Sequence, residues 1–293
     1  MTVPFRRVAL AGAGLVGGSF ALALRRAFPT VHISGWDRAE VLARARERGA
    51  IDEGTERLAS ACADADLVYI ALPVETAIRL LPEIAGAVSP DTIVTDAAST
   101  KAAVCAVADA AFFPPRLFLG GHPIAGRERG GIEHADAQLF RGASYVLTKA
   151  SPPKAASDGA EDRCDGRVER FLHVLAAIGA RPVWLEADEH DRLFAYLSHL
   201  PQLAAVALAE TVLDGAGEAA APLAGPGLVD ALRLAGSPYD VWAEICRTNP
   251  ELRGSLDRLI AALERLRSRL RSAELGEDFE RANRLYKILR QIE

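Results

Sequence analysis

Val8-Ala9-Leu10-Ala11-Gly12-Ala13-Gly14-Leu15-Val16-Gly17 decides the fold of this chain. Four apolar residues with no polar alternation read as a strand buried on both faces. A Gly-x-Gly-x-x-Gly turn follows, and Leu15 to Phe28 continues as an apolar helix. The first glycine permits the tight turn and the second lets backbone approach a pyrophosphate. The third lets helix and strand pack closely, while the helix N-terminus offers oriented N–H groups to phosphate. Asp37 closes the next apolar run, 20 residues beyond Gly17. A carboxylate there accepts from both ribose hydroxyls of a dinucleotide and repels a 2′-phosphate, whereas Arg38 beside it would suit that phosphate. Gly12, Gly14, Leu15, Val16, Gly17, Asp37 and Arg38 are therefore the expected cofactor residues, with NAD favoured over NADP.

Outward from this turn, short apolar runs alternate with helical patterns. Val31–Trp36, Leu67–Leu72, Thr92–Asp96, Leu117–Leu119 and Ser144–Leu147 read as strands, with helices over Ala39–Arg48 and Glu75–Val88 and another opening near Ser99. The alternation predicts an α/β fold, a Rossmann-type doubly wound parallel sheet with right-handed crossovers. Leu72-Pro73 falls at the carboxyl edge of that sheet, where such folds bind ligands, and Pro73 would fix the loop beneath the nicotinamide ribose. Residues 151–166 read as an exposed loop, followed by one more helix (Arg167–Ile178) and strand (Arg181–Leu185). From about Asp188 the pattern is helical only. Residues 1–187 are expected to form the NAD-binding domain and 188–293 an all-α dimerisation and substrate domain. Leu193–Leu213 is nearly uncharged and broken locally by Pro201, so it needs cover on all sides, which predicts a homodimer built on these helices. Leu252–Leu270 and Phe279–Ile292 read as amphipathic outer helices.

Composition narrows the function. Half of the 293 residues are apolar, enough for a substantial core, and the formal net charge of −5 gives no basic field for nucleic acid. Cys62, Cys105, Cys164 and Cys246 are far apart with no Cys-x-x-Cys spacing, which reads as reduced thiols rather than a disulfide frame or a metal site. Val8–Leu24 is too short and too interrupted by glycine to span a bilayer, and it lacks a signal-peptide cleavage pattern, so the expected location is the cytoplasm.

Gly120-Gly121-His122-Pro123-Ile124-Ala125-Gly126 carries the chemistry. Glycines let backbone and ligand approach His122, and Pro123 biases it toward extended geometry. A hydroxyl whose carbon loses hydride must also lose its proton, and neutral imidazole accepts one near pH 7. His32, His134, His173 and His190 have no companions in the sequence and read as structural or solvated residues.

Asp96-Ala97-Ala98-Ser99-Thr100-Lys101, the His122 string continued by Arg127-Glu128, and Leu139-Phe140 together resemble the prephenate dehydrogenase family. Ser198-His199-Leu200-Pro201-Gln202, Gly225-Pro226-Gly227, Arg233-Leu234-Ala235 and Ser237-Pro238, with Trp242 beyond, continue the resemblance in register to about Asn249. It implies a dinucleotide domain followed by a helical dimerisation domain. It also implies NAD-dependent oxidative decarboxylation of prephenate to 4-hydroxyphenylpyruvate, on the way to tyrosine. By this resemblance His122 takes the ring-hydroxyl proton, Ser99 orients it or shares the hydroxyl, and Lys101 helps organise the site. Glu128 gates or orders the pocket, Arg233 binds a substrate carboxylate, and His199 supports the pocket floor. Gln202 stands where many members carry a second histidine facing the substrate side chain, which keeps an arogenate or dual-specificity cyclohexadienyl dehydrogenase as the alternative. Val229 replaces an arginine often found four residues before Arg233. A regulatory NAD-binding protein would have no use for Ser99, His122 and Arg233 together, and a related two-domain reductase would not need the Gly-Gly-His-Pro string.

Overall fold

The apolar run at the start of the chain forms the centre of an eight-stranded sheet. The computed structural model describes residues 3–127, 129–148 and 166–290. In chain order the first part contains β1 (Arg7–Ala11), α1 (Leu15–Ala27), β2 (His32–Trp36), α2 (Ala39–Glu47), β3 (Glu53–Thr55), α3 (Leu58–Cys62) and β4 (Leu67–Ile70). It continues through α4 (Val74–Ala87), β5 (Ile93–Asp96), α5 (Ala102–Ala111), β6 (Leu117–Pro123), β7 (Ser144–Thr148), α6 (Gly166–Ala177) and β8 (Arg181–Leu185). The spatial order is β3-β2-β1-β4-β5-β6-β7-β8, and β3 to β6 run parallel, as a doubly wound sheet requires.

Both faces of the sheet are buried. Along β4 Leu67 and Tyr69 point into one core with Phe20, Phe140 and Phe171, while Val68 and Ile70 point into another with Leu81, Ile84 and Phe118. The two-residue period of a strand thus feeds two cores, which explains why the run is uniformly apolar. Tyr69 stacks on Phe20 with ring centroids 3.7 Å apart.

Three features depart from the sequence reading. β3 is a three-residue polar edge strand, Glu-Gly-Thr, with no apolar signal. β7 pairs antiparallel with β6, and β8 then runs parallel to β7, so the last two strands oppose the rest. The β6 strand also runs on past Leu119 through Gly120-Gly121-His122-Pro123, which lie opposite Thr148, Leu147, Val146 and Tyr145. Glycine and proline hide this extension from propensity, yet the glycines are what allow it: a Cβ on Gly121 would press into the Asp96 carbonyl oxygen.

Residues 187–290 are helical: α7 (Ala187–Phe194), a π-helical turn (Ala195–His199), α8 (Leu200–Ala216), α9 (Pro226–Leu232), α10 (Tyr239–Thr248), α11 (Leu252–Arg269) and α12 (Leu275–Arg290). Short 3₁₀ turns over Glu218–Leu223 and Arg233–Gly236 join them. The break expected at Pro201 takes the form of the wide turn before it. Pro201 itself sits in the first turn of α8, directly after that wide turn. Leu197, Leu213, Val229, Leu263, Phe279 and Leu285 are exposed on these helices, and no residue of α12 is buried. Among the described residues no helix is long and apolar enough to cross a membrane.

The glycine turn supplies a direct test of this packing. A Cβ on Gly17 would collide with the Gly12 carbonyl oxygen, whereas one on Gly14 meets nothing within 4 Å. Gly17→Ala is expected to lower the thermal midpoint by roughly 5 °C or more, and Gly14→Ala to leave it within about 1 °C, as read by differential scanning calorimetry.

Candidate active site

The carboxyl ends of β1, β4 and β5 open onto a cleft of about 330 Å³. Its lining includes Val16, Leu72, Pro73 and Ser99, with Val241 and Glu244 of α10 on the opposite wall. Beside it, α1 follows Gly14 at its N-cap, with no side chain capping its N–H groups and no acidic residue in its first turn, so those donors stay available to an anion. Asp37 ties the turn to the end of β2: Oδ2 accepts from Ala13 N–H at 2.8 Å and Oδ1 from Arg38 N–H at 2.7 Å. The Arg38 side chain is exposed and lies 3.6 Å from Glu40.

His122 lies on the part of β6 that extends beyond its last pairing with β5, Thr95 opposite Leu119. Two arrangements hold it. Below, Asp96 and Lys101 grip both backbone groups of Gly121: Asp96 Oδ1 accepts its N–H at 2.9 Å, and the Lys101 ammonium donates to its carbonyl at 2.7 Å. Asp96 and Lys101 form an ion pair, and both side chains are fully buried. To the side, His122 Nδ1 lies 2.8 Å from His190 Nε2, and His190 Nδ1 lies 2.8 Å from Asp191 Oδ1. Asp191 in turn accepts the N–H groups of Lys101 at 2.7 Å and Ala102 at 2.9 Å, at the start of α5.

This chain assigns the protons. Asp191 accepts only, so His190 carries its proton on Nδ1 and accepts at Nε2; His122 then donates from Nδ1 and keeps a lone pair on Nε2. Phe194 stacks on the His190 ring at 4.3 Å and covers His122 at 5.1 Å. Burial, reinforced by His190, Lys101 and His199, holds the His122 pKa well below 6.5. Burial likewise lowers His190, against the pull of Asp191, and lowers His199 to about 4. All three imidazoles are therefore neutral near pH 7.

The other expected residues fall around this centre. Ser99 lines the cleft but makes no hydrogen bond to His122 among the described residues; α5 starts at Ala102 rather than near Ser99, with Lys101 at its cap position. Lys101 lies beneath the histidine strand, its ammonium taken up by Asp96 and Gly121. His199 Nδ1 accepts from Asn249 Nδ2 at 3.0 Å, and the same amide donates to the Asp191 carbonyl at 2.9 Å. Gln202 is buried and donates to the Leu234 carbonyl at 2.8 Å, which fixes the turn carrying Arg233. Arg233 itself is exposed. Glu128 and residues 151–165 lie outside the described residues, while Gly166, the last residue of the loop expected over 151–166, begins α6. His190, read from the sequence as lacking companions, is the direct partner of His122; the histidine–acid pair His190-Asp191 was the available signal. Asp96 and Asn249 were visible only as parts of strings. No group of three or more His, Cys, Asp or Glu side chains able to hold a metal occurs among the described residues.

Known proteins resemble this chain over most of its length. The family model for the prephenate dehydrogenase nucleotide-binding domain matches residues 20–181, and that for the dimerization domain matches residues 186–291. A prephenate dehydrogenase of Lactococcus lactis subsp. cremoris is 33% identical over 258 residues, covering 87% of this chain and 67% of that protein. One of Bacillus subtilis is 31% identical over 287 residues, covering 96% of this chain and 73% of its own length. The crystal structure of a prephenate dehydrogenase from A. aeolicus, in complex with hydroxyphenyl propionate and NAD+, superposes with a TM-score of 0.84 at 27% identity, covering 97% of this chain and 98% of that one.

Three depressed histidines make stability depend on pH. Below 6.5 the unfolded chain takes up protons that the folded chain refuses, so stability falls as pH drops, until His199 itself protonates at about 4. The urea midpoint is expected to decrease from pH 7 toward about pH 5. His199→Asn, which keeps an acceptor for Asn249, should flatten that decrease; an unchanged slope would contradict the burial of a neutral His199.

Proposed function

The chain belongs to the prephenate dehydrogenase family, and on that premise we propose that it oxidises prephenate with NAD, releasing carbon dioxide and 4-hydroxyphenylpyruvate, in the cytoplasm and as a homodimer. Residues 1–187 bind the cofactor, and residues 188–293 carry the dimer contacts and the substrate-carboxylate anchor. The observation that carries the reading is the hydrogen-bonded run His122–His190–Asp191 beside a dinucleotide-type cleft.

The chain's own residues fit NAD. Gly14 leaves open space where a pyrophosphate must approach backbone, and the first N–H groups of α1 have no side-chain cap. Asp37 spends one lone pair of each oxygen on backbone and keeps others for ribose hydroxyls, while the exposed Arg38 lies nearest to Glu40. Bound there, NAD supplies the hydride acceptor.

The rest of the reaction falls to the protein. Loss of hydride from the ring carbinol leaves a protonated carbonyl, whose proton passes to the lone pair on His122 Nε2. The positive charge so formed is shared through His190 toward the Asp191 carboxylate. The carbon–carboxylate bond then breaks, its electron pair enters the ring, and carbon dioxide departs. His122 returns its proton to the phenolate oxygen, so no proton is gained or lost overall. Aromatisation drives the release, and the protein needs one base, a fixed geometry and an anchor. Arg233 supplies the anchor as a guanidinium fork for a substrate carboxylate. Ser99, on the cleft wall, shares the ring hydroxyl, and His199 supports the floor through Asn249. By the family resemblance Glu128 gates or orders the pocket. Among the described residues 19 large apolar side chains are exposed, mostly on the helical part, and they support the homodimer.

His122→Asn is expected to keep NAD binding and lower kcat by at least ~100-fold. Asp191→Asn, which no longer fixes the His190 tautomer, should lower kcat by roughly tenfold or more with little change in KM. The acid limb of kcat/KM should lie below pH 6.5, because His122 resists protonation; a limb above that value would count against His122 as the base. Arg233→Ala should raise KM for prephenate far more than it changes NAD affinity, as steady-state kinetics and calorimetry would show.

A further inference from the structure

The cleft wall facing Leu72 and Pro73 belongs to α10, and it is acidic: Asp240 and Glu244 both line it. Glu244 reaches across the cleft, and its Oε2 accepts the Glu75 N–H at 2.9 Å, in the first turn of α4. That contact takes up one of the free donors of this helix end and draws the α10 wall against the loop that ends β4. Glu75 is balanced separately, since both its oxygens are held by Arg247 at 2.7 and 2.9 Å. Lys101, the other cation near the β5 end, is buried and paired with Asp96. The charge left facing the cleft is thus negative and comes from Glu244 and Asp240.

We propose that Glu244 sets the preference of this site for the oxidised cofactor over the reduced one. The inference rests on the reading above that the nicotinamide end of NAD occupies this cleft. An oxidised nicotinamide ring carries a positive charge that the reduced ring lacks, and the rest of the two molecules is the same. A carboxylate on the facing wall therefore stabilises one form and not the other. In a partly solvent-shielded cleft one such charge changes affinity by roughly fivefold. The consequence is directional: the site holds the form that reacts and releases the form that has reacted, at no cost to substrate contacts.

The test is the pair of dissociation constants for NAD and NADH, measured by isothermal calorimetry on the purified protein without substrate. In Glu244→Gln the amide oxygen still accepts the Glu75 N–H, so the contact between α10 and α4 persists while the charge is lost. The ratio Kd(NADH)/Kd(NAD) is expected to fall by about fivefold, through weaker NAD binding. Arg247→Met removes a cation from the same rim and leaves Glu75 uncompensated, so it should move the ratio the other way. A ratio unchanged within about twofold in Glu244→Gln, or moved in the same direction by both variants, overturns the proposal. Wild-type protein that binds neither nucleotide would instead overturn the cofactor reading, and this inference with it.

Discussion

Both oxygens of the Asp191 carboxylate are held by backbone N–H groups at the start of α5, and one also accepts from His190. Asp191 is buried, and a buried carboxylate is tolerated only when its lone pairs are met by donors. The end of α5 that meets it is the electropositive end of a helix, which favours the charged form further. This fixes α7 against α5, and so the helical half of the chain against the nucleotide-binding half. It also fixes the proton on His190 Nδ1, which leaves His122 with its lone pair on Nε2. One carboxylate thus sets the architecture of the site and the protonation pattern of its proposed base.

The Asp96–Lys101 pair does the complementary task from beneath. It uses one hydrogen bond to each backbone group of Gly121 to hold the strand that presents His122. Glycine is required there because a side chain would meet the Asp96 carbonyl. The residues around the histidine are consequently rigid, buried and paired, while the cleft beside them keeps uncapped helix donors and an acidic far wall. In the proposed reaction rigidity is thus concentrated where the proton would move, and open donors where an anionic cofactor binds.

Much of this could be read in the sequence, for physical reasons. Val8–Ala11 and Leu67–Ile70 were legible because a strand buried on both faces must be apolar throughout, and Gly12, Gly14 and Gly17 because few other residues fit that turn. His122 stood out because glycines and proline surround it. The β6 extension was hidden for the same reason, since Gly-Gly-His-Pro has no strand propensity of its own. β3 was missed as a polar edge strand, and the reversal of β7 because the direction of a strand leaves no local trace in composition. His190 was set aside because its partners, His122 and the N–H groups of Lys101 and Ala102, are distant in sequence and meet only through tertiary packing. The exposed Leu208 and Leu213 on α8 fit the expectation that this helix needs cover from outside the single chain, whereas the exposed Leu263 on α11 and Phe279 and Leu285 on α12 were not foreseen, because those helices read as amphipathic outer ones.

The central claim is that Asp191, through His190, leaves His122 neutral with its lone pair on Nε2. Nitrogen-15 NMR of selectively labelled histidine, with His122 assigned by substitution, tests it most directly. The account predicts a neutral His122 protonated on Nδ1, persisting well below pH 6.5, and a shift toward mixed tautomers in Asp191→Asn. A His122 protonated on Nε2 in the wild type, or one that titrates at 6.5 like a free imidazole, would contradict it.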